Sequence, residues 1–169
     1  DRVERIQFAR ASAIHLARGD RDRALSLAER VLARMEADRP AGSQLLFGYS
    51  ATASTLLDLL ATETAPHAKA RLEALGERAL SRVSLLGRLF LIARPAARRL
   101  EGRWHVLHGR TRRAERSFDE GLALARRIGL PSTGLIGACL IPSLGNTYAS
   151  TMSCPISKRT EGTLTVRSM

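Results

Sequence analysis

The stretch that decides the fold runs Gly102-Arg-Trp-His105-Val-Leu-His-Gly109-Arg-Thr-Arg-Arg-Ala114-Glu-Arg-Ser-Phe118-Asp-Glu-Gly121. A small residue is followed three positions later by a ring, four later by Gly109 and five later by Ala114. Phe118 and Gly121 follow at steps of four and three. Steps of three and four bring side chains to one face of a helix. Gly109 supplies the backbone freedom to end one helix and reverse the chain into the next. The order predicts two antiparallel helices that nearly touch. Gly102 lets the second helix approach, Ala114 sits at the contact, and Phe118 fills the space beside it.

At an offset of 90 residues the chain matches itself. His15, Gly19, Arg23 and Ala24 fall opposite His105, Gly109, Arg113 and Ala114, and Leu32-Ala33 opposite Leu122-Ala123. Ser12 lies opposite Gly102, and Ala28 opposite Phe118. This spacing resembles the tetratricopeptide helix hairpin, with its Gly, aromatic, Gly, Ala, Phe and Ala positions in a repeat of about 34 residues. His105 stands in place of the usual Tyr, and Gly121 in place of the last Ala. An offset of 90 is not one such repeat, so the middle hairpin must be longer.

Working outward, the apolar periodicity predicts six helices. Ala24, Ala28, Val31 and Met35 recur at steps of four, three and four from Asp22. Ala68, Leu72, Leu75, Ala79, Val83, Leu86 and Phe90 mark an unusually long helix, and Ala114, Phe118, Gly121, Ala125 and Ile128 another. Ile6 to Ala17, Ser43 to Ala61 and Ala96 to Leu107 lie between. Gly19, Gly109 and Gly129 read as stops. Asp20 or Asp22 is expected to cap the second helix and Thr64 the fourth, with Pro66 and Pro95 near helix starts. Short loops join neighbours antiparallel. The expectation is an all-α, tetratricopeptide-like stack of about three hairpins, an α-solenoid, over residues 1–141. Residues 142–169 hold ten Ser or Thr and little periodicity, and read as a poorly structured tail.

Composition narrows the function classes. Aromatics are 4% of the 169 residues while the apolar class is 44%, so the core must be built from Leu, Ala, Val and Ile. No uninterrupted apolar run approaches the roughly 18 residues that a membrane span needs; the best stretch, Leu45 to Ala61, is diluted by Ser50, Thr52, Ser54, Thr55 and Asp58. Net charge is +11, and of the 27 basic residues only Lys69 and Lys158 are lysines. Such an Arg excess reads first as a solvated surface, one that can face an acidic protein. The densest cluster, Arg98, Arg99, Arg103, Arg110, Arg112, Arg113 and Arg116, offers the alternative of a nucleic-acid-binding module, provided these side chains converge on one face. Trp104 is the one aromatic among them, and its spacing from Leu100 and Leu107 points inward, to the core or, as the alternative, to a groove-lining contact, which leaves nothing for base reading.

No constellation for chemistry emerges. There is no phosphate-cradling glycine motif. His105 and His108 are one turn apart without a third ligand, and His105, like His15, falls on a packing-ring position. Asp119 and Glu120 point about 100° apart on a helix and cannot flank one substrate. Cys139 and Cys154 lack a C-x-x-C spacing and are uninformative, which leaves a reducing cytoplasm as the default expectation. No catalytic residue, cofactor or metal is expected.

One further likeness extends beyond the hairpin. Arg-Ala-Leu-Ser-Arg at 78–82 leads through Ile92-Ala-Arg-Pro-Ala96 and Leu100-Glu-Gly-Arg-Trp104 to Gly109-Arg, Ala114 and Ala123-Leu-Ala-Arg-Arg-Ile-Gly-Leu-Pro131. Over roughly residues 5–135 this resembles the C-terminal helical region of large bacterial multidomain signal-transduction ATPases. The resemblance implies a non-catalytic scaffold within a longer cytoplasmic protein, whose N-terminal domains are often an adenylyl or guanylyl cyclase, a kinase or a DNA-binding domain. Its partner would be a peptide or a neighbouring protein domain. The stretch from Pro142 onward departs from that pattern.

Overall fold

A computed structural model describes residues 2–37, 40 and 42–130, with side chains from Ile6 onward. These lie in one of the two units into which the chain divides, Asp1–Cys139. The expected tail, 142–169, lies outside the described residues, as do Cys139 and Cys154.

The described chain is all-α, with no strand. Its helices are α1 (Arg2–Ala17), α2 (Arg21–Ala37), α3 (Leu45–Thr62), α4 (Pro66–Leu89), α5 (Arg94–Leu107) and α6 (Thr111–Arg127), with a 3₁₀ turn at Leu91–Ala93. Gly19, Gly109 and Gly129 carry φ of +82°, +67° and +69°, the left-handed conformation that only glycine enters without strain. Each closes its helix with the same pair of bonds. Gly19 N–H donates to the Leu16 carbonyl and Asp20 N–H to that of His15; Gly109 and Arg110 repeat this toward Val106 and His105, and Gly129 and Leu130 toward Arg126 and Ala125. The 90-residue offset is therefore reproduced bond for bond at the first two turns.

Helix starts agree less well. Asp20 caps α2, its Oδ1 accepting the Arg23 N–H at 3.3 Å. Pro66 and Pro95 sit in the first turns of α4 and α5. Thr64 does not cap α4. The cap position is Ala65, and Thr64 precedes it by one residue, too early to reach the unpaired N–H groups. α4 has no side-chain cap, and Glu63 instead braces the α3–α4 connection, one carboxylate oxygen accepting both the Thr64 and Ala65 N–H groups at 3.0 Å. Those two bonds, the Ala65 one first, together with Arg21, hold its carboxyl below the usual range.

Paired side chains set the directions of the helices. Glu29 meets Arg71 and Glu36 meets Arg78, both at 2.5 Å and both 42 residues apart, so α2 and α4 run parallel. Arg21 at the start of α2 reaches Glu63 and the Leu59 carbonyl at the end of α3, so those two run antiparallel. Gly76 approaches Trp104, and Gly87 approaches Ala97, which makes α4 and α5 antiparallel; Gly102 with Phe118 and Gly121 with Arg98 do the same for α5 and α6. The α1–α2, α3–α4 and α5–α6 connections therefore lie at one end, and the α2–α3 and α4–α5 connections at the other.

Helix α3 is central and packs on α1, α2, α4 and α5. The core is aliphatic: Val31, Leu32, Met35, Leu45, Leu56, Leu57, Leu72, Val83, Leu86 and Leu100 are buried, with Tyr49 the one large ring among them. Ala24, Ala28, Val31 and Met35, the expected stripe of α2, are fully buried. Leu45–Thr62 is by length and composition apolar enough to cross a membrane, with mean hydropathy 1.2, but 61% of it is buried against the other helices. Its apolar side chains are used by this core.

Candidate functional site: a groove between α4 and α6

The three last helices enclose an open groove of about 900 Å³. Helix α5 forms its floor with Ala97, Trp104 and His105, and α4 and α6 form its walls with Leu80 on one side and Ala123 and Leu124 on the other. Charges of both signs ring it: Arg88, Arg94, Arg98 and Arg127 with Glu77, Glu101 and Glu120.

Close packing beneath the floor explains the small residues. A Cβ on Gly102 would stand 2.5 Å from the Phe118 ring, and one on Gly121 would stand 3.3 Å from Arg98 Cβ and the Pro95 carbonyl. Ala114 and Ala24 are buried, and Phe118 is half-buried. Gly109 and Gly19 have nothing within 4 Å of an added Cβ, so their place is set by backbone conformation alone. Ser12, opposite Gly102, is fully buried and donates its hydroxyl hydrogen to the Ala9 carbonyl at 2.8 Å.

Trp104 is not wholly a core residue. It packs on the core and over Gly76, which a Cβ would bring within 3.1 Å of the ring, yet it is only half-buried and also lines the groove. Its ring lies 4.2 Å from that of His108, centroid to centroid. His108 donates through Nδ1 to the Trp104 carbonyl at 2.8 Å, and its Nε2 lies 3.9 Å from Glu73. His105 turns elsewhere, its Nε2 4.0 Å from Glu101 and its Nδ1 buried without a hydrogen-bond partner. Burial holds the His105 imidazole below its ordinary pKa, opposed by Glu101 and reinforced by Arg110, Arg113 and His108. The two rings thus face different carboxylates. His15, the counterpart of His105, meets Asp20 at 3.2 Å. Among the described residues, no three His, Cys, Asp or Glu side chains group to hold a metal.

The seven clustered arginines do not share one face. Arg98 pairs with Glu101 at 2.7 Å and Glu120 at 3.2 Å, bridging α5 to α6 at the groove. Arg103 turns inward and pairs with Asp58 of α3, both side chains mostly buried. Burial pushes the Asp58 carboxyl above its usual range, even against the pull of Arg103 and Arg99. Arg110, Arg112, Arg113 and Arg116 are exposed around the α5–α6 turn. Neither the Asp58–Arg103 pair nor the groove is visible to sequence periodicity, since the pair spans 45 residues and the groove depends on how far α6 stands from α4.

Compared with known proteins, the chain matches no family model, no curated protein and no solved structure.

Proposed function

We propose that the six helices form a tetratricopeptide-like stack of three hairpins acting as a non-catalytic protein-interaction module. The parallel run of α2 and α4 and the repeated glycine turns support the stacking. The observation that carries the function is the groove, with Trp104, Leu80 and Leu124 as apolar surface inside a rim of mixed charge. Such a surface suits an amphipathic peptide or helix, whose apolar side enters and whose charged side meets the rim. The placement within a cytoplasmic bacterial signalling ATPase or cyclase-type protein rests on the sequence resemblance alone, and on that reading catalysis belongs to other domains. The competing nucleic-acid reading is weakened by the engagement of Arg98 and Arg103 with carboxylates.

Trp104 is the only tryptophan and reports on the groove directly. Titrating an array of amphipathic peptides should shift its emission for a subset. Leu124→Asp should abolish that response without changing the helical signal. An array that leaves Trp104 emission unchanged throughout, or binding indifferent to Leu124→Asp, would overturn the reading.

A further inference from the structure

Among the described residues five large apolar side chains are exposed, and four of them gather at one end of the stack. Phe47, 72% exposed, stands in the first turn of α3. Leu89, Leu91 and Ile92, 55%, 52% and 47% exposed, form the corner between α4 and α5. Ala93 is fully buried and anchors the corner, while Leu89, Leu91 and Ile92 before it face solvent. Arg94 steadies it, donating from Nε to the Gly87 carbonyl at 3.1 Å.

The surroundings are basic. Arg88 and Arg94 flank the corner, and Arg126 and Arg127 end α6 at the same end; all four are exposed. No Asp or Glu occurs between Glu77 and Glu101, nor between Glu120 and Leu130. The acidic residues toward this end are engaged: Glu36 is held by Arg78 at 2.5 Å, and Glu101 and Glu120, which share the groove rim with Arg88, Arg94 and Arg127, are held by Arg98 at 2.7 and 3.2 Å.

We propose that this end docks on an anionic lipid bilayer, the Leu89–Ile92 corner entering the interface and the arginines meeting the headgroups. An exposed apolar corner needs no complementary pocket in a bilayer, and basic side chains beside inserted apolar ones are the pattern of peripheral membrane binding. A second copy fits poorly, because a symmetric contact through this end would bring the same arginines together. Leu91 and Ile92 do not line the groove, so failure of this proposal and of the peptide-binding reading are separable.

Vesicle co-sedimentation of the full chain tests it. Vesicles of about 30% phosphatidylserine in phosphatidylcholine should bind the protein, and pure phosphatidylcholine should bind it far less. Leu91→Asp with Ile92→Asp should lower partitioning at least about tenfold with an unchanged melt, since both side chains are exposed. Arg88→Glu with Arg94→Glu should weaken it by a similar factor, at roughly fivefold for each arginine lost. Arg110→Glu with Arg112→Glu, at the opposite end, should change it by no more than a few-fold. Binding that ignores Leu91→Asp/Ile92→Asp, or that falls equally with the Arg110/Arg112 reversal, would reduce the effect to general attraction of a +11 protein and overturn the proposal. So would a dimer in sedimentation velocity that the corner variants dissolve.

Discussion

Gly102 and Phe118 contend for one volume: a Cβ at position 102 would stand 2.5 Å from the Phe118 ring, well inside any contact that real side chains make. The glycine is there because the ring is. Gly102→Ala should destabilise the protein by about 1–3 kcal/mol, the range for overpacking a close contact. In a Phe118→Leu background the same substitution should cost less, because the smaller side chain vacates the space. Urea titrations of the four proteins give the coupling; equal costs in both backgrounds would place the α5–α6 contact elsewhere.

Gly19 and Gly109 separate conformation from packing. Each has positive φ and open space where a Cβ would go, so Gly19→Ala and Gly109→Ala should each cost about 1–2 kcal/mol through backbone strain alone. Asn, which tolerates this region better, should cost less than Ala at both positions. Thermal melts of the Ala and Asn variants would check the ranking.

Asp58 and Arg103 are mostly buried partners, and the guanidinium keeps one Nη1 without a hydrogen-bond partner. Breaking such a pair leaves an uncompensated charge in the interior, whereas replacing both members does not. Asp58→Asn should therefore cost about 3 kcal/mol, the lower end for a buried pair, while Asp58→Leu with Arg103→Met should lie within about 1 kcal/mol of the parent. Chemical denaturation of both variants decides it. A double variant as unstable as the single would mean that the pair itself sustains the fold.

The pH dependence has a definite sign. Burial favours neutral His105, lowering its pKa below the ordinary 6.5. The unfolded chain then takes up a proton first as the solution is acidified. The stability tied to this residue is complete above about pH 6.5 and is lost as pH falls toward and through the folded value. Glu36 and Glu63, both lowered from 4.5, add a second loss at more acid pH. Asp58 acts oppositely: its carboxyl is raised, so its cost is present above the folded value and eases on acidification. Urea midpoints between about pH 7.5 and pH 5.5 should fall for the parent and fall less for His105→Phe. Parallel slopes would show that His105 is not the responsible group.

Much of the framework is legible in the chain because helices announce themselves locally. Steps of three and four among small and aliphatic residues mark their faces, and a glycine that must take positive φ marks the ends of three helices, at Gly19, Gly109 and Gly129. The start of α4 was not legible, because the nearest hydroxyl, Thr64, lies one residue too early to cap it and the connection is braced by Glu63 instead. Trp104 reads as buried from its spacing, yet one periodic stripe cannot tell a ring that faces only core from one that also floors a groove. The fate of the arginines depends on partners tens of residues away, Asp58 above all, and no local pattern carries that information.

The two ties between α2 and α4 have a mechanical consequence. Glu29–Arg71 and Glu36–Arg78 lie seven residues apart along each helix, a separation of about 10 Å at the α-helical rise. Being exposed, each contributes little to stability. A single fastening lets two rods swivel about it, but two fastenings set apart along their length form a lever that resists torque as well as shear. Sliding α4 by one turn past α2 would unmake both at once, so the weak surface charges act as rivets that fix the offset of one helix against the other.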